Sequence, residues 1–335
     1  MSESDEAKES TARIAIFPKA QGSVAVAIIG VQHLIVSLAQ HSASHLSNLL
    51  SKAAAAPGSL ERFSYTDSQG YHNEVFMAYW LHEADYQTWL KSEAVSSWIS
   101  QLGLQDTDVG IWLEVMTPPI DQYQYGAPVV QKDGLATLGE LAKSEKFGYW
   151  GGYRDRVPAS AYDKFESPLD SMPDRKLKST KGKRLTLQIP DNVCFIREGQ
   201  DWSRAGDEER AVWRETMDEV VKSWTGILVE RSGDSGTFNL RSMQNIDPIN
   251  NSTLDKQTQV AFLLSLSGIE KAARTWKEHL QVHASLIKMF REAKFKPTMN
   301  IWAEMFILKS QDFSPIYINC HSETGLLPYF DVTEI

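Results

Sequence analysis

Two positions in this 335-residue sequence combine a reactive side chain with a setting that could use it. Tyr317-Ile-Asn-Cys-His321 runs into Ser-Glu-Thr-Gly325, so an imidazole stands at a strand-to-loop edge. There it can enter a pocket and serve as an acid or base near neutral pH. A histidine merely satisfied under a loop is the plainer alternative. Arg197 ends the apolar run Val193-Cys-Phe-Ile-Arg197. An inward-facing guanidinium must be matched by an anion, whether a carboxylate, a substrate or a propionate. His279 and His283 are spaced as two metal ligands on one helical face would be, but H-E-x-x-H is absent and no acidic third ligand accompanies them. A surface or half-buried pair is the preferred reading.

Other motifs are excluded by their contexts. Gly233-Asp-Ser-Gly236 reads like the nucleophile segment of a serine protease, but it continues as Thr237-Phe238 and no partner segment carries the histidine, so it is taken as a turn. Neither G-x-S-x-G, nor a P-loop, nor G-x-G-x-x-G after a strand occurs, which removes the common hydrolase, nucleotide-hydrolysing and dinucleotide-binding readings.

The elements that must position these residues repeat. Val24 to Val31 reads as a strand, the stretch to Ala56 as a helix, Asn73 to Trp80 as a strand, Tyr86 to Leu102 as a helix and Val109 to Met116 as a strand. The second half offers the same order: strand from Val193, helix over Asp207 to Glu230, strand over Gln259 to Leu266, helix over Gly268 to Ala293, strand over Asn300 to Leu308. The closing strands even share lettering, Ile111-Trp-Leu-Glu114 beside Ile301-Trp-Ala-Glu304. This predicts two related α+β units, each an antiparallel sheet covered on one face by helices. The expected division is a disordered tail over 1–12, a first unit over 13–120, a connecting segment over 121–190 that includes the basic run Asp174 to Arg184, and a second unit over 191–335.

Composition narrows the partners. A formal charge of −9, from 43 acidic against 34 basic residues, repels phosphate backbones and anionic lipid. Nucleic acid and membrane are therefore not expected. The apolar stretch from Val24 to Val36 is too short to span a bilayer. Two cysteines fit a reducing compartment, and a cytoplasmic protein is expected.

Gly148-Tyr-Trp-Gly-Gly-Tyr-Arg-Asp-Arg-Val-Pro158, Asp191 to Trp202 with Arg197-Glu-Gly-Gln-Asp-Trp202, Arg241 to Asp247, and Tyr317-Ile-Asn-Cys-His321 with Thr324-Gly325 together resemble the haem-containing aldoxime dehydratases. The resemblance covers most of the chain after the tail. It implies an α+β fold of duplicated ferredoxin-like units forming a dimeric α+β barrel, with haem b in the second unit and a small organic substrate. The implied activity is a lyase reaction, aldoxime to nitrile plus water. The implied site places His321 as acid/base, Arg197 as its assistant, Asp155 near a supporting acidic residue, and Asn239 where the family carries a serine.

The resemblance also implies an iron-ligating histidine in the closing strand, where this sequence has Ala303. A methyl group cannot ligate iron, so weak haem, or none, is expected unless another residue such as His283 takes its place. Three functions stay open: the haem-dependent lyase, a cofactor-independent dehydration or cyclisation in specialised metabolism, and a non-catalytic small-molecule binder.

Overall fold

The computed structural model describes residues 12–18, 20–102, 108–144, 150–295 and 297–335. Of the tail expected over 1–12, all but Ala12 lies outside the described residues. The first unit opens with β1 (Arg13–Ile16) and β2 (Ala25–His33), then runs through α1 (Val36–Lys52), β3 (Ser59–Thr66), β4 (His72–Trp80), α2 (Glu83–Lys91), α3 (Glu93–Gln101) and β5 (Val109–Met116). The connecting segment holds β6 (Tyr123–Ala127), β7 (Glu140–Lys143) and β8 (Arg184–Leu187). The second unit contains β9 (Val193–Asp201), α4 (Asp207–Thr216), α5 (Asp218–Glu230), α6 (Ser232–Ser235), β10 (Thr237–Ile246), β11 (Thr253–Leu263), α7 (Leu266–Thr275), α8 (Lys277–Glu292) and β12 (Asn300–Leu308). The short strands β13 (Phe313–Ile318) and β14 (Val332–Glu334) finish the chain. No helix among the described residues is long and apolar enough to cross a membrane.

Strands hydrogen-bond in the order β5-β2-β4-β3 in the first unit and β12-β9-β11-β10 in the second, the same ferredoxin-like arrangement twice. In each of these sets of four the apolar runs account for three strands; the fourth is β3 in the first unit and β10 in the second. These two strands pair with each other and join the units into one sheet, with Asn245 opposite Phe63. The sheet curls so that the inner faces of both units share one apolar cluster, including Val26, Met77, Phe195, Met243 and Phe306. Helices α1 to α3 cover the outer face of the first unit, and α4 to α8 cover that of the second.

The repeated Ile-Trp-x-Glu lettering has a physical meaning. Trp112 on β5 lies against Gly30 of β2, and Trp302 on β12 lies against Gly199 of β9. A β-carbon on Gly30 would come within 2.0 Å of the Trp112 indole, and one on Gly199 within 2.4 Å of the Trp302 indole, so both sites require glycine. Each glutamate binds an arginine in the barrel interior. Arg241 grips Glu114 with two bonds of 2.6 Å. Arg197 reaches Glu304 at 3.2 Å and Glu61 at 2.6 Å. The two guanidinium groups also stack over the paired tryptophans, Arg241 at 4.3 Å from Trp112 and Arg197 at 4.5 Å from Trp302.

The segment read as a connection is built into the sheet. β6 pairs with β12 of the second unit, while β13 from the C-terminal stretch pairs with β5 of the first. β1, placed in the first unit by sequence, lies between β6 and β7 beside the second.

Candidate active site

Strand alternation sends neighbours to opposite faces, and this separates the residues expected to act together. Arg197 points into the barrel, where the anions that match it are Glu61 and Glu304, with the Tyr79 hydroxyl alongside. Burial opposes its charge, but these neighbours raise its pKa well above the ordinary value. His321 belongs to the other unit's end of the molecule. Its Nε2–H donates to Asp67 at 3.0 Å, its Nδ1 accepts from the Glu323 backbone N–H at 3.1 Å, and its ring packs on Tyr71. Nε2 thus fastens the C-terminal stretch to the β3–β4 turn, while Nδ1 holds that stretch's own backbone. Among the described residues, neither Arg197 nor His321 lines the cavities described below, and their described partners differ.

The remaining expected positions also disperse. Asp155 is exposed, in a turn of 3-10 helix over Trp150–Arg156. Asn239 lies in register with Phe262 of the interior cluster, and both atoms of its amide are buried without a hydrogen-bond partner. Ala303 is fully buried, with its cross-strand neighbours Glu198 on β9 and Gly126 on β6. On α8 the histidine that faces a cavity is His279 rather than His283.

The large opening in the molecule lies between the outer face of β9, β10 and β11 and helices α4 and α5. It measures about 650 Å³ and is lined by Gln200, Gln259, Trp213 and Thr225 among others. Arg210, Arg214 and Lys222 stand at its rim. Arg210 holds Asp255 at 2.6 Å and Lys222 holds Glu219 at 2.7 Å, whereas Arg214 donates to the Arg210 carbonyl and has no carboxylate among its described contacts. Smaller spaces continue inward along shared walls to Trp224, Leu228, Val282, Leu286, Glu198 and His279. The result is an apolar depth opening on a polar mouth of mixed charge, where Asp207, Glu209, Asp218 and Asp255 stand beside the three cations.

Two titratable groups meet in that depth. His279 comes from α8, is buried, and packs on Trp224. Its Nδ1–H donates to the Ala273 carbonyl at 2.7 Å, which places the lone pair of the neutral ring on Nε2. Burial lowers its pKa, so the ring stays neutral at physiological pH. A neutral imidazole whose other nitrogen is fixed by a backbone carbonyl is the usual form of a metal-ligating histidine. Glu198 comes from β9 on the opposite wall. Tyr153 donates its hydroxyl to Glu198 Oε1 at 2.6 Å. Enclosure by protein pushes this carboxyl above the ordinary glutamate range, and the Tyr153 hydrogen bond offsets only part of that rise. Sequence reading passed over Glu198. An Arg-Glu pair inside an apolar strand was the available signal, because adjacent residues face opposite sides and both must then be accommodated.

Among the described residues no group of three His, Cys, Asp or Glu side chains could hold a bare metal ion. One imidazole beside an apolar slot, with Arg214 at the mouth held by no carboxylate among its described contacts, suits instead a macrocycle that brings its own equatorial nitrogens and carries carboxylates on one edge.

Comparison with known proteins gives a consistent likeness. The model of the haem-containing dehydratase family matches residues 27–326. The phenylacetaldoxime dehydratase of Bacillus sp. (strain OxB-1) is 29% identical over 333 residues, covering 98% of this chain and 93% of the relative. The aliphatic aldoxime dehydratase of Pseudomonas chlororaphis is 29% identical over 270 residues, covering 78% of this chain and 74% of the relative. A crystal structure of an aldoxime dehydratase with butyraldoxime superposes with a TM-score of 0.86 at 22% identity, covering 96% of this chain and 89% of that one. A second aldoxime dehydratase structure gives 0.84 at 25% identity, with 96% and 91% covered.

Proposed function

The chain belongs to the haem-containing dehydratase family, and on that premise we propose that it is a haem-dependent lyase converting a small aldoxime, R–CH=N–OH, into a nitrile and water. The relatives named for phenylacetaldoxime and aliphatic aldoximes support this substrate class. The observation that carries the placement is His279, a buried neutral imidazole with its Nδ1 proton held by Ala273, lining a smaller inner space that shares Gln200, Trp213 and Gln259 with the large opening. Ala303 offers no ligating atom, and in this reading His279 would hold the iron through Nε2. Arg214, which no carboxylate holds among its described contacts, would meet a propionate at the mouth.

Bound there, haem would supply an iron centre able to take the oxime nitrogen and weaken the N–O bond. The chain's own residues do the rest. His279 would hold the group, and Glu198, Gln200 and Gln259 line the same space as polar groups for the substrate. Trp213, Met217, Val221 and Trp224 make the neighbouring surface apolar, which excludes bulk water and accepts an aryl or alkyl group. The paired amides of Gln200 and Gln259 bond each other at 3.0 Å and present a hydrogen-bonding surface beside Glu198. Both cysteines are buried free thiols, in keeping with a reducing compartment.

The test is a pyridine haemochrome count on the purified protein with haemin added, followed by assay of nitrile from arylalkyl and alkyl aldoximes under anaerobic, dithionite-reduced conditions. One haem per chain with nitrile formed is expected. A folded protein that takes up no haem, or a loaded one that forms no nitrile, overturns the reading.

A further inference from the structure

Resting on the reading above, which leaves the proton donor unassigned, we propose that Glu198 protonates the departing hydroxyl of the oxime, with Tyr153 as its positioning residue. The carboxyl lies on the cavity face of β9, between Gln259 on β11 and Ala303 on β12. Ala303, buried beside it, presents only a methyl group and no competing polar atom. Glu198 from β9 and His279 from α8 line the same inner space, so the carboxyl shares a pocket with the residue that would hold the haem.

Tyr153 occupies Oε1 and leaves Oε2 to carry the proton. Tyr153 is itself buried and held under the Arg156 guanidinium, 5.3 Å from its ring, while Arg156 Nε donates to Gln124 at 2.8 Å. The charged and titratable groups around the carboxyl are therefore Tyr153 and Arg156 from the 3-10 segment and His279 from α8; the other lining groups are amides, the Thr225 hydroxyl and apolar side chains. Enclosure keeps the proton on Glu198 at a pH where an exposed glutamate has lost it.

The step balances without a co-reactant. The N–O bond breaks with its electron pair going to oxygen, and the Glu198 proton joins that oxygen to release water. The carboxylate then takes the proton from the substrate carbon. The C–H electron pair becomes the additional C–N bond of the nitrile, and the acid is regenerated with no net oxidation or reduction.

The experiment uses full-length, haemin-loaded Glu198→Gln and Tyr153→Phe variants. Infrared difference spectra across neutral pH give a readout independent of turnover: a protonated-carboxyl C=O band is expected in the wild type, absent in Glu198→Gln and shifted in Tyr153→Phe. Glu198→Gln is expected to lower kcat by roughly 100-fold or more, with KM within about threefold and haem per chain unchanged. Tyr153→Phe removes a bond that lowers the acid's pKa, so the alkaline limb of the pH profile moves upward, and this still tests the idea if the glutamine variant does not fold. Nitrile formation by Glu198→Gln within about threefold of wild type, or no carboxyl band assigned to Glu198, overturns the proposal alone. A wild-type protein that makes no nitrile overturns the functional reading, and this proposal with it.

Discussion

Arg197 and Glu304 face each other on adjacent strands, 3.2 Å apart, and neither exposes any side-chain surface. Glu304 is further held by the Tyr79 hydroxyl at 2.7 Å and the Leu135 backbone N–H at 3.1 Å. Such a network ties the two units through the barrel interior. Replacing Arg197 by methionine strands two carboxylates and is expected to cost about 3–5 kcal/mol in urea unfolding. A variant of full stability that had lost only turnover would return Arg197 to the reaction.

Acid should dissolve the same network. Burial acts to raise the Glu61 pKa, but Arg197 and Lys256 overcome it and hold the carboxyl at about 2, below its ordinary 4.5. The folded state therefore binds this proton later than the unfolded chain, and the stabilisation is complete above pH 4.5 and lost as pH falls toward 2. The difference amounts to about 3 kcal/mol. The stability gap between wild type and Glu61→Gln is expected to shrink by that order from pH 5 down to pH 2. A constant gap would mean that Glu61 is not the charged partner.

His321 should behave as a fastener. Its removal severs the bond to Asp67 and the one from Glu323, a loss of about 1–3 kcal/mol. Burial acts to raise the Asp67 pKa, yet hydrogen bonds from His321 and Asn73 leave it below normal, so His321→Ala should move it upward. Urea unfolding with kcat measured beside it checks this. Stability is expected to fall with kcat within about twofold, and a collapse of kcat at unchanged stability would restore the acid/base role.

The two helix histidines should separate cleanly. His279→Ala is expected to abolish the Soret band of the haemin-loaded protein while far-ultraviolet circular dichroism stays unchanged. His283→Ala, outside the lining of the cavity, is expected to retain one haem per chain. Equal haem content in both variants would place the axial ligand elsewhere.

How far the sequence could be read depended on what each element faces. β2, β4, β5, β9 and β12 are apolar on both faces because each is covered by helices outside and by the opposite unit inside, so they stand out as runs. β3 and β10 carry Glu61, Arg62, Asn239 and Arg241, and such strands have no continuous apolar run to find. Their partners are each other and the interior ion pairs, which are long-range facts. The helices over 86–102 and 207–230 were read as single elements, but each breaks, at Ser92 and Met217. The site suffered most. The sequence showed that Arg197 needs an anion, while the identity of that anion depends on the curl of the sheet. Residues four apart on a helix share a face, so only the roll of α8 against Trp224 decides that His279 and not His283 looks into the cavity.

The exchange of strands between the halves also sets the order in which the protein can be finished on the ribosome. The first unit is complete in sequence once Met116 has emerged, yet the outer edge of β5 waits for Phe313–Ile318, and β6 waits equally for β12. A nascent chain therefore carries open backbone edges through most of its synthesis, the condition that invites pairing with another copy. Closure of the β5 edge arrives only with Phe313–Ile318. A chain cut short before Phe313 should be a client for chaperones and proteases rather than a smaller version of the protein.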